Sequence, residues 1–178
     1  EVVLSDQPQV AAMIEIAEKD PSGWSALEPA AVKEILHRTA TNLANKRGDL
    51  IGCMSAITGK TFTEGDVEVS EAIDFCRYYP LSLEKFRAQQ TVELRPKGLV
   101  LVIPPWNFPT AIPVGGVVAA LAGGNRVILK PATVAYPIAW EFAQCFWDAG
   151  VPKEVLQLVC ADGRAPVNYL TTHPALTQ

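Results

Sequence analysis

Charged residues vanish from the chain between positions 99 and 125, and the apolar pattern around that gap changes its period three times. Leu99, Val100, Leu101, Val102 and Ile103 form an unbroken apolar run. A run without alternation suits a strand buried on both faces of a parallel sheet. Pro104, Pro105, Trp106, Asn107, Phe108 and Pro109 follow. Their prolines fix φ and remove N–H donors, so this piece is a loop. Residues 110–121 are small and apolar and are followed by Gly123 and Gly124, the pattern of a buried helix with a glycine stop. Val127, Ile128 and Leu129 then make a second apolar run before Lys130 and Pro131. Strand, loop, helix and strand compose a βαβ unit, with an expected right-handed crossover.

The uncharged stretch is long enough to raise a membrane span. Pro104, Pro105, Pro109, Pro113 and Asn107 interrupt it, and a spanning helix must satisfy its own backbone. No membrane span is therefore expected.

Upstream the period is helical. Val10, Ala11, Ile14 and Ala17 predict a helix over 7–19, broken by Asp20-Pro21-Ser22-Gly23. Pro29 stands where a first helical residue is favoured. Val32, Ile35, Leu36, Ala40 and Leu43 form the stripe of a long helix that Gly48 is expected to end. Asp49 then caps a helix over 50–58, closed by Gly59 and Lys60. Arg47-Gly48-Asp49 spells an adhesion tripeptide, but helix punctuation accounts for it. Val69, Ile73, Phe75 and Cys76 predict a helix over 64–79 that Pro80 stops. A short strand is expected over 91–94. Past the βαβ unit, Ile138, Phe142, Cys145 and Phe146 face inward on a helix over 135–149, ended by Gly150 and Pro152. A third strand is expected over 155–159, followed by a turn at Asp162-Gly163. Helices followed by β-α-β-α-β argue for an α/β fold: a partial parallel sheet covered on both faces, preceded by an N-terminal helical region.

Composition narrows the classes. The chain has 178 residues, 49% of them hydrophobic, which is enough for a sizeable core. A net charge of −4 argues against a nucleic-acid surface. Cys53, Cys76, Cys145 and Cys160 contain no C-x-x-C pair and suggest free thiols in a reducing compartment. The first residues carry neither a basic signal region nor an initiator Met, which raises the expectation of an excised or processed piece.

In open parallel sheets, ligands bind beyond the carboxyl ends of the strands. Three loops lie there: 104–108, 130–133 and 161–164. Trp106 could stack on a ring, Asn107 could donate from its amide, and Lys130 could meet a phosphate or a ribose. No G-x-G-x-x-G and no Walker loop follows any strand. The residues alone support a nucleotide-sized ligand. The plain alternative makes Trp106 and Phe108 core and Lys130 a solvated lysine. His37, on the long helix, and His173, beside Pro174, are expected to be structural or surface residues, and no metal site is apparent.

Pro105-Trp106-Asn107-Phe108-Pro109, with Lys130-Pro131 after the next strand, resembles the aldehyde dehydrogenase superfamily. Gly59-Lys60, then Glu68-Val69, Glu71-Ala72 and Asp74-Phe75-Cys76-Arg77-Tyr78-Tyr79, is similar to its pyrroline-5-carboxylate dehydrogenase branch. That branch includes the dehydrogenase half of bifunctional proline utilization A. The resemblance covers nearly the whole chain and implies a Rossmann-like coenzyme-binding domain. Residues 1–90 would be its N-terminal helical region and 91–178 its first βαβαβ part.

The resemblance also implies roles. Asn107 matches the asparagine that helps hold the substrate oxygen as it becomes an oxyanion. Ile103, Pro104, Pro105 and Trp106 match the strand end along the dinucleotide. Lys130 matches the lysine that hydrogen-bonds the adenosine ribose, and Gly163 a glycine near the adenine. Thr133 stands where many members carry an acidic residue that binds the ribose hydroxyls, which leaves NAD against NADP open. The parent reaction would oxidise an aldehyde, glutamate semialdehyde in this branch, to an acid. It would pass through a thiohemiacetal, hydride transfer to the nicotinamide and hydrolysis of a thioester. The parent is expected to be a cytoplasmic homo-oligomer. The family's nucleophilic cysteine and general-base glutamate match nothing in this chain, so the chain alone is expected to be inactive. The alternative from another class is a non-catalytic α/β module that binds a nucleotide or a partner through its sheet edge.

Overall fold

The computed structural model describes residues 4–89, 91, 93–161 and 164–176. Helix α1 (Gln7–Lys19) opens on a capping box: the Asp6 carboxylate accepts from the Gln9 amide, and the Gln9 side chain accepts from the Asp6 amide. Helices α2 (Pro29–Asn45), α3 (Arg47–Thr58) and α4 (Phe62–Arg87) follow, with α4 entered through a second capping box between Thr61 and Glu64. Strand β1 (Leu99–Val102), helix α5 (Ala111–Ala122), strand β2 (Arg126–Leu129), helix α6 (Tyr136–Asp148), strand β3 (Leu156–Leu158) and helix α7 (Arg164–Thr172) complete the chain.

The described strands form one parallel sheet in the order β1-β2-β3. Its two faces bury alternate side chains, the period-two rule of a strand. Val127 and Leu129 join the large core with α2–α6, while Ile128 joins a smaller core with Val10 and Ile14 of α1 and Leu170 of α7. The expected partial Rossmann-like α/β architecture, helices first and a sheet covered on both faces, is what the chain adopts. Trp24, Phe142 and Phe146 are the bulkiest fully buried side chains. The Trp24 indole N–H donates to the Leu121 carbonyl at 3.3 Å, so its one polar atom is satisfied.

Helix α5 is enclosed. Nine of its twelve residues are buried, and it packs on α4, α2 and both flanking strands. Its glycines permit this closeness. A Cβ on Gly115 would lie 3.0 Å from the Phe75 ring, and one on Gly116 3.0 Å from Val102 Cγ1. The turn into β2 uses Gly124 at φ 79°, and Asn125 bridges it, donating to the Ala120 carbonyl and accepting from the Gly98 amide. No described helix is long and apolar enough to cross a membrane.

Four expectations need correction. Pro80 lies inside α4, which runs on to Arg87. The missing N–H costs about 3 kcal/mol, but the segment beyond it is held by Leu83 on the core and by a 2.8 Å ion pair between Lys33 and Glu84. Lys85 and Arg87 add cations at the helix's negative end. Gly48 does not end α2, and Asp49 caps nothing. The break falls at Lys46, where φ −89° and ψ 9° separate the helices, and Gly48 and Asp49 lie within α3. Lys46 and Asn42 are tied to α6 through Glu141 and the Cys145 carbonyl, which sets where α2 stops. The strand expected over 91–94 is absent among the described residues: Thr91 is in a turn and Glu93 and Leu94 are irregular, since β1 pairs with β2 and no described strand lies on its other side. Residue 135 closes a short 3-10 turn instead of opening α6. The expected turn at Asp162-Gly163 lies outside the described residues.

Phe146 fills the centre of the large core. Phe146→Ala is expected to destabilise the fold by about 3–5 kcal/mol, seen as a lower midpoint of urea unfolding with an unchanged slope.

Candidate functional site

The parallel register sets Val102, Leu129 and Leu158 side by side, so the loops leaving the three strands share one edge. The Lys130 amide donates to the Val102 carbonyl at 2.9 Å and ties the first two together. Ile103, Pro104, Pro105, Trp106 and Asn107 leave β1 at that edge, and Lys130 leaves β2 there. Thr133 is exposed at the start of the 3-10 turn Thr133–Ala135, just before α6. Gly163 lies outside the described residues.

The loop is anchored at its ends and open in its middle. Pro104 and Pro109 are buried, while Pro105, Trp106, Asn107 and Phe108 are exposed. Trp106 is 54% exposed and Phe108 44%, so neither is core filler. The Lys130 side chain is half-buried, and its ammonium donates to the neighbouring Pro131 carbonyl at 3.3 Å. An ammonium has three donors, and this contact uses one.

The strongest electrostatic feature near this loop is Glu68 of α4. Its residue is 2% exposed. One carboxylate oxygen accepts from the Thr110 amide at 2.6 Å and the Ala111 amide at 3.0 Å. The other meets the Lys60 ammonium at 2.6 Å. Thr110 and Ala111 are fully buried, and they begin α5 without a side-chain cap of its own. Glu68 therefore supplies from another helix an acceptor for two amides that have none within α5, and its negative charge faces the positive end of α5. Losing it would leave two buried N–H groups unpaired, at about 1–3 kcal/mol each. The Lys60 ammonium also lies 4.1 Å from the centre of the Phe108 ring, a cation–π contact. Thr110 Oγ1 donates to Met54 Sδ at 3.3 Å. Beside Phe108, a shallow cavity of about 250 Å3 is lined by Lys60, Thr63, Glu64, Val67 and Phe108.

Sequence reading did not assign Glu68 or Lys60 a place in this site. A signal existed. Gly65, Glu68, Val69, Ala72, Ile73 and Cys76 are the buried positions of one helical stripe, and a carboxylate on an apolar stripe requires a partner.

Burial makes Cys53, Cys76 and Cys145 poor nucleophiles. Burial pushes the Cys76 thiol strongly up. Burial also pushes Cys145 up to about 11 and raises Cys53. Cys160 is buried at the end of β3. The thiolate is the reactive form, so thiols that titrate far above neutrality stay protonated. His173 is tied locally: its Nδ1 accepts from the Ala175 amide at 3.2 Å. With iodoacetamide at pH 8, peptides carrying Cys76 and Cys145 are expected to remain unmodified in the folded protein and to be alkylated in urea, as read by peptide mass mapping.

The chain is 35% identical over 171 residues to the 1-pyrroline-5-carboxylate dehydrogenase of Geobacillus sp. (strain WCH70), a match covering 90% of this chain and 33% of that protein. Its fold superposes on the structure of proline utilization A (PutA) from Corynebacterium freiburgense with a TM-score of 0.93 and 37% identity, covering 99% of this chain and 18% of that one. An NAD-dependent benzaldehyde dehydrogenase from Corynebacterium glutamicum superposes with a TM-score of 0.88 at 26% identity, covering 98% of this chain and 40% of that one. The chain thus spans about a third of the length of the curated dehydrogenases it matches. The aldehyde dehydrogenase family pattern matches residues 1–178, and the chain belongs to the aldehyde dehydrogenase family.

Proposed function

We propose that this chain is the coenzyme-binding portion of an NAD(P)-dependent aldehyde dehydrogenase that oxidises glutamate semialdehyde to glutamate. Residues 1–90 form the helical part of that portion and 91–178 its first βαβαβ part. The observation that carries the reading is the exposed Asn107, held in a proline-braced loop at the carboxyl edge of the sheet, with Lys130 at the end of the adjoining strand. The substrate assignment leans on the names of the relatives. A cytoplasmic homo-oligomer acting on a small aldehyde, in proline catabolism, is the setting this reading carries with it.

The donor set suits a dinucleotide. Ile103, Pro105 and Trp106 present an exposed apolar wall along which flat rings can lie. The uncommitted N–H donors of Lys130 match ribose hydroxyls. Gly163 belongs to the adenine side of the same proposal. The coenzyme, when bound, accepts the hydride lost by the aldehyde. Asn107 has a separate task. Its amide N–H points charge at the substrate oxygen, which becomes an oxyanion when the carbonyl is attacked. A preorganised donor of this kind contributes about 3–4 kcal/mol. Turnover also requires a nucleophile and a base, and Cys53, Cys76 and Cys145 are not placed to serve as that nucleophile, so the 178-residue chain alone is proposed to be inactive.

Two measurements on the full-length protein test this reading. Asn107→Ala is expected to lower kcat for glutamate semialdehyde by about 10²–10³-fold with little change in coenzyme KM; an unchanged kcat overturns the assignment. Thr133 is uncharged, so it repels a 2′-phosphate less than a carboxylate would. Thr133→Glu is expected to shift the ratio of kcat/KM values toward NAD over NADP by about tenfold, the effect of about 1.4 kcal/mol of added repulsion. An unchanged ratio removes Thr133 from the coenzyme site.

A further inference from the structure

We propose that Glu68 is the positioning residue for Asn107, acting through the start of α5 and through Lys60. This rests on the reading that Asn107 meets the substrate oxygen. Two anchored points follow Asn107 in the chain. On its carboxyl side, the amides of Thr110 and Ala111 are held by one oxygen of Glu68 at 2.6 and 3.0 Å. Next to it, the Phe108 ring is held 4.1 Å from the Lys60 ammonium, and that ammonium is held by the other oxygen of Glu68 at 2.6 Å. A single buried carboxylate therefore fixes both contacts. Lys60 and Glu68 side chains are 14% and 1% exposed, so water competes little for either end. The pair reaches the loop through the Phe108 ring and the start of α5. Its effect on chemistry must pass through the loop's position, and a displacement of about 1 Å at a reacting group can cost roughly 10²-fold in rate.

The test is a double-mutant cycle in the full-length protein, with kcat, aldehyde KM and coenzyme KM measured on folded, purified variants. Glu68→Ala is expected to lower kcat by roughly 10²-fold while coenzyme KM stays within about twofold, because Lys130 and the β1 end are not part of the clamp. Glu68→Gln keeps an acceptor for the two amides and is expected to recover most of that loss. In the background of Asn107→Ala, Glu68→Ala is expected to cost little more, since the group it positions is gone; non-additivity is the mark of residues acting as a unit. If Glu68→Ala lowers kcat by the same factor with and without Asn107, Glu68 does not act through Asn107 and the proposal is overturned. If Asn107→Ala leaves kcat unchanged, it is the reading beneath the proposal that fails. Should Glu68→Ala not fold, Lys60→Met carries the same cycle. Lys60→Met keeps an apolar stem against Phe108 and removes the ammonium, so the proposal expects a kcat loss that disappears in the Asn107→Ala background. A loss that persists there counts against it.

Discussion

Helix α5 has no polar face, and the architecture follows from that. An all-apolar helix must be enclosed, and here α2 and α4 cover it on one side while β1 and β2 lie on the other. Enclosure removes water from the helix start as well as from its flanks. The first N–H groups of any helix have no intrahelical acceptor, and at a buried start they cannot turn to solvent. The fold must bring an acceptor to them, and the Glu68 carboxylate on α4 is that acceptor. A requirement of the core has thus placed a charge directly behind the loop that carries Asn107.

That charge brings its own requirement. A carboxylate this deeply buried needs a counterion, and Lys60 reaches it from the turn that ends α3 at Gly59. Gly59, at φ 71°, closes α3 and sends the chain directly into Lys60 and the capping box of α4. The result links the α3–α4 turn and the second turn of α4 to the distant β1–α5 loop through one side chain.

Much of this was readable in advance, for physical reasons that can be named. The βαβ unit announced itself because a doubly covered strand must be apolar throughout and a buried helix must be small and apolar. Helix α1 was legible to the residue, because a clean stripe runs up to the break at Asp20-Pro21-Ser22-Gly23. The loop residues at the sheet edge were legible through composition, since prolines beside Trp106 and Asn107 can be neither strand nor helix interior. The misplaced ends of α2 and α4 share one cause. Pro80, Gly48 and Asp49 are local signals, and each was outweighed by contacts with distant segments: Glu84 on Lys33, Lys46 on Glu141, Asn42 on the Cys145 carbonyl. Glu68 was passed over for a related reason. The two amides it holds lie more than forty residues along the chain, and no spacing rule reaches that far.

The two glycines on α5 have a consequence for variation in this fold. Gly115 and Gly116 let the helix settle against Phe75 and Val102 with no slack in which a methyl group could be absorbed. Enlarging a side chain at either contact would slide the helix's amino end, and the exposed loop with it, although neither contact faces the sheet edge. The position of the exposed loop therefore depends on packing among residues that lie away from the sheet edge.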